Sequence, residues 1–180
     1  ADRWKDRSST GEGEGGAARY TWQYLAAGYA AVWATENTRE AVFDAMTRRE
    51  TYGTSGTRMT VRFFGGYGFT PEDAESRYLA EVGYSKGVPM GGDLKPAAGG
   101  KTPTFLVAAL KDPQGANLDR IQVVKGWLDG SGKAQEKVYE VVWSGDRKPG
   151  KDGKLPPVGD TVDVARATYA NTIGAPELSA

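Results

Sequence analysis

The chain has 180 residues, enough for one domain or slightly more, with a core burying roughly 70% of the unfolded surface. Lys+Arg and Asp+Glu both number 23, so the net charge is zero and no global field favours nucleic acid or an anionic membrane. The absence of cysteine excludes disulfides, thiolate nucleophiles and zinc–thiolate sites, and the absence of histidine excludes an imidazole base, a Ser-His-Asp triad and histidine metal ligands. Glycine and proline together approach a fifth of the residues. Composition alone therefore describes a loop-rich globular domain that is not a self-sufficient catalyst.

Residues 1–16, ending in GEGEGG, read as a flexible leading segment. No apolar run approaches the roughly 18 residues of a membrane span. With no initiator methionine, the chain reads as an excised segment, a mature form or an expressed piece. From Ala17 an alanine- and aromatic-rich stretch suits a helix, and YAAVWA after Gly28 suits a short buried strand. TENTREAVFDAMTRRE predicts a helix capped by Asn37 or Thr38, with Glu40 in its first turn. Val42, Phe43 and Met46 form its apolar stripe, and Arg48 and Arg49 close its negative end. RMTVRFF alternates, which predicts a strand with Met59, Val61 and Phe63 on one face. Pro71 and three acids (Glu72, Asp73, Glu75) open a predicted helix over 71–82, the acids serving its dipole.

Residues 83–103 read as a long loop. TFLVAALK, DRIQVVKGW and EKVYEVVW read as strands, the last two joined through LDGSGKAQ as a hairpin with Asp129 in the turn. Residues 144–160 read as a solvated loop in which Asp146 and Asp152 interleave with Arg147, Lys148, Lys151 and Lys154. TVDVARATY reads as one more strand, and NTIGAPELSA shows no closing element.

Two phosphate-binding motifs fail on context. GEGEGG satisfies G-x-G-x-x-G, but no buried strand feeds it, so it reads as a loop. GGKT at 99–102 has Lys95 where a P-loop needs glycine, and Pro103 where a helix should continue. One cluster points to chemistry. Asn37, Thr38 and Arg39, with Ser55 and Arg58 from TSGTR, put hydroxyls, free N–H groups and arginines at the ends of apolar segments, where an oxyanion is held. The plain reading of the same residues is a helix cap and an ion pair at Arg58.

These blocks carry a resemblance. AVWATENTREAVFDAMTRRETYGTSGTRMTVRFFGGY, GVPMGGDL, ALKDPQGANLDRIQVVKGWLDGSGKAQEKVYEVVWS and PVGDTVD followed by ATYANTIGAPEL are similar to the bacterial domain-of-unknown-function 3604 family over about Gly28 to Leu178. Gly53 stands where alanine is expected, and Thr57 where proline is frequent. The resemblance implies a relative of the PHP metal-dependent hydrolases, which hold divalent metals at the mouth of a distorted β/α barrel. Their substrates are phosphoester-like, with sulfate esters a second class. The histidine motifs of such enzymes lie upstream of the matched region, so the resemblance implies a carboxy-terminal portion that carries no catalytic residue, metal ligand or cofactor of its own. It also implies a partner, the amino-terminal barrel portion of the same protein.

The expected organisation is α+β. Residues 1–16 lead, 17–57 are a helical remnant of a barrel, and 58–180 form a mostly antiparallel, sandwich-like β-rich domain lacking its last strand. In that arrangement Glu36, Asn37 and Thr38 face the barrel mouth. A bacterial source with a periplasmic or secreted location fits the resemblance without fixing it. The alternative expectation is a non-catalytic binding or assembly module that self-associates through exposed strand edges, with no nucleic-acid partner and no membrane span.

Overall fold

The computed structural model describes residues 28–180. The leading segment and the helix expected from Ala17 lie outside the described residues. The architecture is α+β and rich in antiparallel strand, as the sequence predicts.

Tyr29–Val32 (β1) leads to Arg39–Thr47 (α1), and Thr51–Thr54 (β2) returns antiparallel to β1, with Tyr29 opposite Thr54 and Val32 opposite Thr51. β1 is the expected strand, but its burial runs only from exposed to half-buried. Thr38 caps α1: its hydroxyl oxygen accepts from the Ala41 N–H at 3.3 Å. The apolar stripe does not face inward as expected. Phe43 and Met46 are 66% and 56% exposed, and the small residues Ala41 and Ala45 make the buried side.

Thr60–Gly66 (β3), Gly87–Pro89 (β4), Thr104–Leu110 (β5) and Glu177–Ser179 (β10) form an antiparallel sheet in the order β10-β5-β3-β4. The carboxy-terminal stretch, read as having no closing element, thus supplies an edge strand: Leu178 pairs opposite Ala109 and is buried. The strand face expected from alternation is also corrected. Phe64, not the Met59–Val61–Phe63 set, is the core residue of β3, because it sits opposite Leu106 of β5. Both are 1% exposed, and with Phe69 they form the centre of the core, covered by Ala74, Leu79 and Val82. Phe63 stacks instead on Phe105, ring centroids 5.4 Å apart.

The helix expected over 71–82 is two, Pro71–Ala74 (α2) and Leu79–Lys86 (α3), the second running into the predicted loop. Asp73 supplies the reason. Its carboxylate accepts from the Thr70 N–H at 2.8 Å and from Lys86 Nζ at 2.7 Å. In one straight helix residues 73 and 86 would lie ~20 Å apart. Lys86 and the Thr70 N–H together hold the Asp73 carboxyl below its ordinary range.

Arg120–Leu128 (β6) and Ala134–Trp143 (β7) form the expected hairpin. Val162–Asp163 (β8) and Thr168–Tyr169 (β9) fold back on each other where one strand was predicted, turning at Ala167 with φ 51°. Residues 144–160 hold no strand or helix, but Arg147 is not solvated. Its guanidinium sits 2.6 Å from Asp119 and donates to the carbonyls of Ser144 and Pro156. Arg120 does the same to Leu155 and Pro156, so two arginines clasp this loop to the base of the hairpin.

Two expectations follow. A Cβ added at Gly83 of α3 would lie 2.5 Å from the Phe64 ring. Alanine is worth about 1 kcal/mol more than glycine inside a helix, whereas overpacking a rigid core costs about 1–3 kcal/mol. Gly83→Ala is therefore expected to lower stability by up to about 2 kcal/mol, read as a lower urea midpoint, despite its better helix propensity.

In the hairpin turn, the Asp129 carboxylate accepts from the Ser131 hydroxyl (2.6 Å), Gln135 Nε2 (2.8 Å), and the Lys133 (3.0 Å) and Ser131 (2.9 Å) N–H groups. These bonds lower its pKa from 3.8 to about 2. The folded value lies below the unfolded one, so the stabilisation is present above pH 3.8 and is lost as pH falls through about 2. An NMR titration should place the Asp129 carboxyl midpoint near 2, with the turn amides shifting in the same step.

Candidate functional site

The site is built from the end of α1. Arg48 is the C-cap, and Arg49 follows at φ 61°, in the left-handed region. The Glu50 N–H bonds to the Ala45 carbonyl and the Arg49 N–H to the Met46 carbonyl, the two bonds of a Schellman ending. The turn sends Arg48 outward and Glu50 inward at the head of β2. Glycine is usual at the Arg49 position, and an outside contact holds arginine there. Gly91, itself at φ 79°, lies so close that a Cβ on it would overlap the Arg49 carbonyl, and Arg49 also reaches Asp93 at 3.4 Å. The GVPMGGDL block thus braces the turn.

Glu50 is only 3% exposed, and its carboxylate is the centre of the site. Arg48 Nη2 stands 3.5 Å from one oxygen, and Arg62 Nη1 of β3 stands 3.6 Å from the other. The Tyr84 hydroxyl of α3 donates to the same oxygen as Arg62, and Arg62 Nη1 donates to the Tyr84 oxygen at 2.9 Å. The Arg62 guanidinium carbon lies over the Trp33 indole, 3.4 Å from the ring centroid. The indole N–H donates to the Val61 carbonyl at 2.9 Å, which locks the ring. Tyr84 is further fixed edge-on to Phe64 at 5.2 Å, so the site rests on the core. Burial, then the bond to Glu50, raises the Tyr84 pKa, which keeps the phenol protonated at neutral pH.

Trp33, Ala34, Thr35, Arg48, Glu50, Arg62 and Tyr84 line a cleft of about 330 Å³. Two guanidiniums against one carboxylate leave it net positive. Glu50 accepts hydrogen bonds from Arg48 and Tyr84 and is ion-paired with Arg62. Arg48 is about half exposed and Arg62 about one-fifth, so Arg48 is the guanidinium more open to solvent. The arrangement has the chemistry to hold an anion.

The expected oxyanion residues divide into two groups. The antiparallel pairing of β1 and β2 puts Thr54 beside Tyr29, at the start of β1, while residues 37–39 follow its end. Ser55 and Arg58 thus lie at one end of the ribbon and Asn37, Thr38 and Arg39 at the other. The latter three line an open groove of about 340 Å³ along α1 with Val42, Phe43 and Met46. Thr38 donates to Glu36 at 3.2 Å, which brings a carboxylate to the helix start. Arg58 lies over the Tyr29 ring at 5.8 Å, and its N–H donates to Asp112 at 2.7 Å.

Sequence reasoning missed Trp33, Glu50, Arg62 and Tyr84. The available signal was Arg62, a charge inside the otherwise apolar run TVRFF. The basic residue expected to end α1, Arg48, is the one member the sequence had singled out.

An α+β protein with a buried acid set between two arginines at a cleft is a class of architecture, not yet a family. The sequence model of the family described as "Protein of unknown function (DUF3604)" matches residues 1–180, and the chain belongs to that family. No curated protein and no solved structure matches it.

Because Gly91 has no room for a side chain and holds a positive φ, Gly91→Ala should disturb the Arg49 turn first. The expected cost is about 2–4 kcal/mol, from strain and overpacking together. Amide shifts at Arg48–Glu50 should move further than those of the β6–β7 hairpin. Equal shifts in both would contradict the bracing role.

Proposed function

We propose that this chain supplies an anion-recognising wall to a metal-dependent phosphoesterase-like hydrolase, with sulfate esters as a second substrate class, and has no hydrolytic activity alone. The observation that carries the reading is the Arg48–Glu50–Arg62 cluster, with its surplus positive charge at an open cleft. Arginine forks match the oxygens of a tetrahedral oxyanion, and a buried acid holds them in place. The divalent metals that the resemblance implies do not fit the described residues. None of their His, Cys, Asp and Glu side chains gather into a group of three or more that could hold a metal ion, and the chain has no histidine. The metal-bearing part of such an enzyme is then the partner barrel, and the residues here bind and orient the ester's oxyanion.

A second reading, a non-catalytic binding or assembly module, is favoured by the β6–β7 ribbon, whose outer edges carry no partner strand among the described residues.

The test is a titration of the chain with inorganic phosphate and with sulfate, followed at the arginine side-chain Nε–H signals. Arg48 and Arg62 should shift together, and Arg48→Gln should weaken binding by roughly tenfold. Arg48 is the more exposed partner, and its loss leaves Glu50 with Arg62 and Tyr84, so circular dichroism of the variant should show the fold kept. Shifts confined to other arginines would refute the site. Turnover of a phosphate ester by this chain with added manganese or zinc would refute the division of labour.

A further inference from the structure

The cleft at Glu50 holds a fixed charge. Arg48, Glu50 and Arg62 are the charged residues among those lining it, and they sum to one positive charge. Tyr84 adds none at neutral pH, because burial and then the bond to Glu50 raise its pKa. Trp33 ties the three charges together. Its carbonyl oxygen accepts from Arg48 Nη2 at 3.5 Å, its N–H donates to the Glu50 carbonyl at 3.0 Å, and its indole lies under Arg62. Glu50 is 3% exposed with one arginine at each oxygen, so turning its carboxylate away from an arriving anion would leave a buried charge unpaired. Its negative charge therefore stays beside any anion that the two guanidiniums take.

We propose that the cleft selects a tetrahedral oxyanion of one negative charge, a phosphodiester or a sulfate monoester, over the dianion of a phosphate monoester. This selectivity rests on the anion-recognising reading of the same cleft and narrows its substrate class. The attraction between an anion and a charged site grows in proportion to the anion's charge, whereas the cost of stripping its water grows as the square. One net positive charge balances a monoanion. The second charge of a dianion meets no counter-charge in the cleft and is repelled by Glu50. A phosphodiester and a sulfate monoester share the favoured chemistry, a tetrahedral centre whose single charge does not change near neutral pH. A phosphate monoester gains its second charge with a pKa of about 6.

Titration of the full chain with dimethyl phosphate, methyl sulfate and methyl phosphate, each at about pH 5 and about pH 8, tests it at the Arg48 and Arg62 Cζ signals. The first two probes carry one charge at both pH values and should bind equally at each, which also controls for titration of the protein itself. Methyl phosphate is mostly a monoanion at the lower pH and a dianion at the higher, and its affinity should fall roughly fivefold between them. Comparing methyl sulfate with dimethyl phosphate tells a sulfate ester from a phosphodiester. Glu50→Gln raises the cleft to two positive charges, and in a variant shown by circular dichroism to be folded the fall should vanish or reverse. The comparison on the unaltered chain decides the matter without that variant. Methyl phosphate bound as tightly or more tightly at the higher pH, with both arginines shifting, would overturn the selectivity and leave the anion site standing. So would an undiminished fall in folded Glu50→Gln. No shift at either arginine with any of the three probes would overturn both.

Discussion

A carboxylate taken out of water costs several kcal/mol unless charged or hydrogen-bonding partners surround it, and Glu50 is such a carboxylate. Its partners come from three elements: Arg48 from the end of α1, Arg62 from β3 and Tyr84 from α3. Each element that moves away removes one partner from the buried charge. The pairing therefore fixes the β1–α1–β2 unit against the four-stranded sheet and its helices. Trp33 strengthens the joint by lying under Arg62 while its N–H bonds to β3.

The joint depends on close backbone approach elsewhere. Gly91 lets the GVPMGGDL segment press on the turn that aims Arg48 and Glu50 in opposite directions. Gly83 lets α3 sit on the Phe64 ring, which sets the height at which Tyr84 meets Glu50. A cleft made this way is held by packing on its inner side and open on the side of Arg48. The Asp119–Arg120–Arg147 clasp is the contrast. Its guanidiniums are mostly spent on backbone carbonyls of a loop, and both are largely buried.

Local signals in the sequence were reliable where one residue's chemistry decides the outcome. Thr38 caps α1, Pro71 opens α2, and Asp129 with its glycines turns the hairpin. Signals that needed a partner failed. Alternation in RMTVRFF pointed to the wrong face, because Leu106, far away in the chain, chooses Phe64 as its neighbour. The α1 stripe of Phe43 and Met46 looked like a core face, yet Ala41 and Ala45 are the buried side. The helix over 71–82 is broken by an Asp73–Lys86 pair that no periodicity could show. The closing strand β10 is three residues long and exists only through its pairing with β5. Of the expected oxyanion residues, the register of β1 and β2 sends two to the opposite end of the ribbon from the other three.

The sequence alone determined the family, the α+β, strand-rich class and the lack of imidazole and thiolate chemistry, because these depend on which residues are present and in what local order. It did not determine the cluster around Glu50. Arg48, Glu50, Arg62 and Tyr84 span more than thirty positions, and nothing local distinguishes them from solvated charges and a surface phenol. Only the tertiary structure decided that they meet. A buried carboxylate must find its counter-charges in space, wherever the chain happens to carry them.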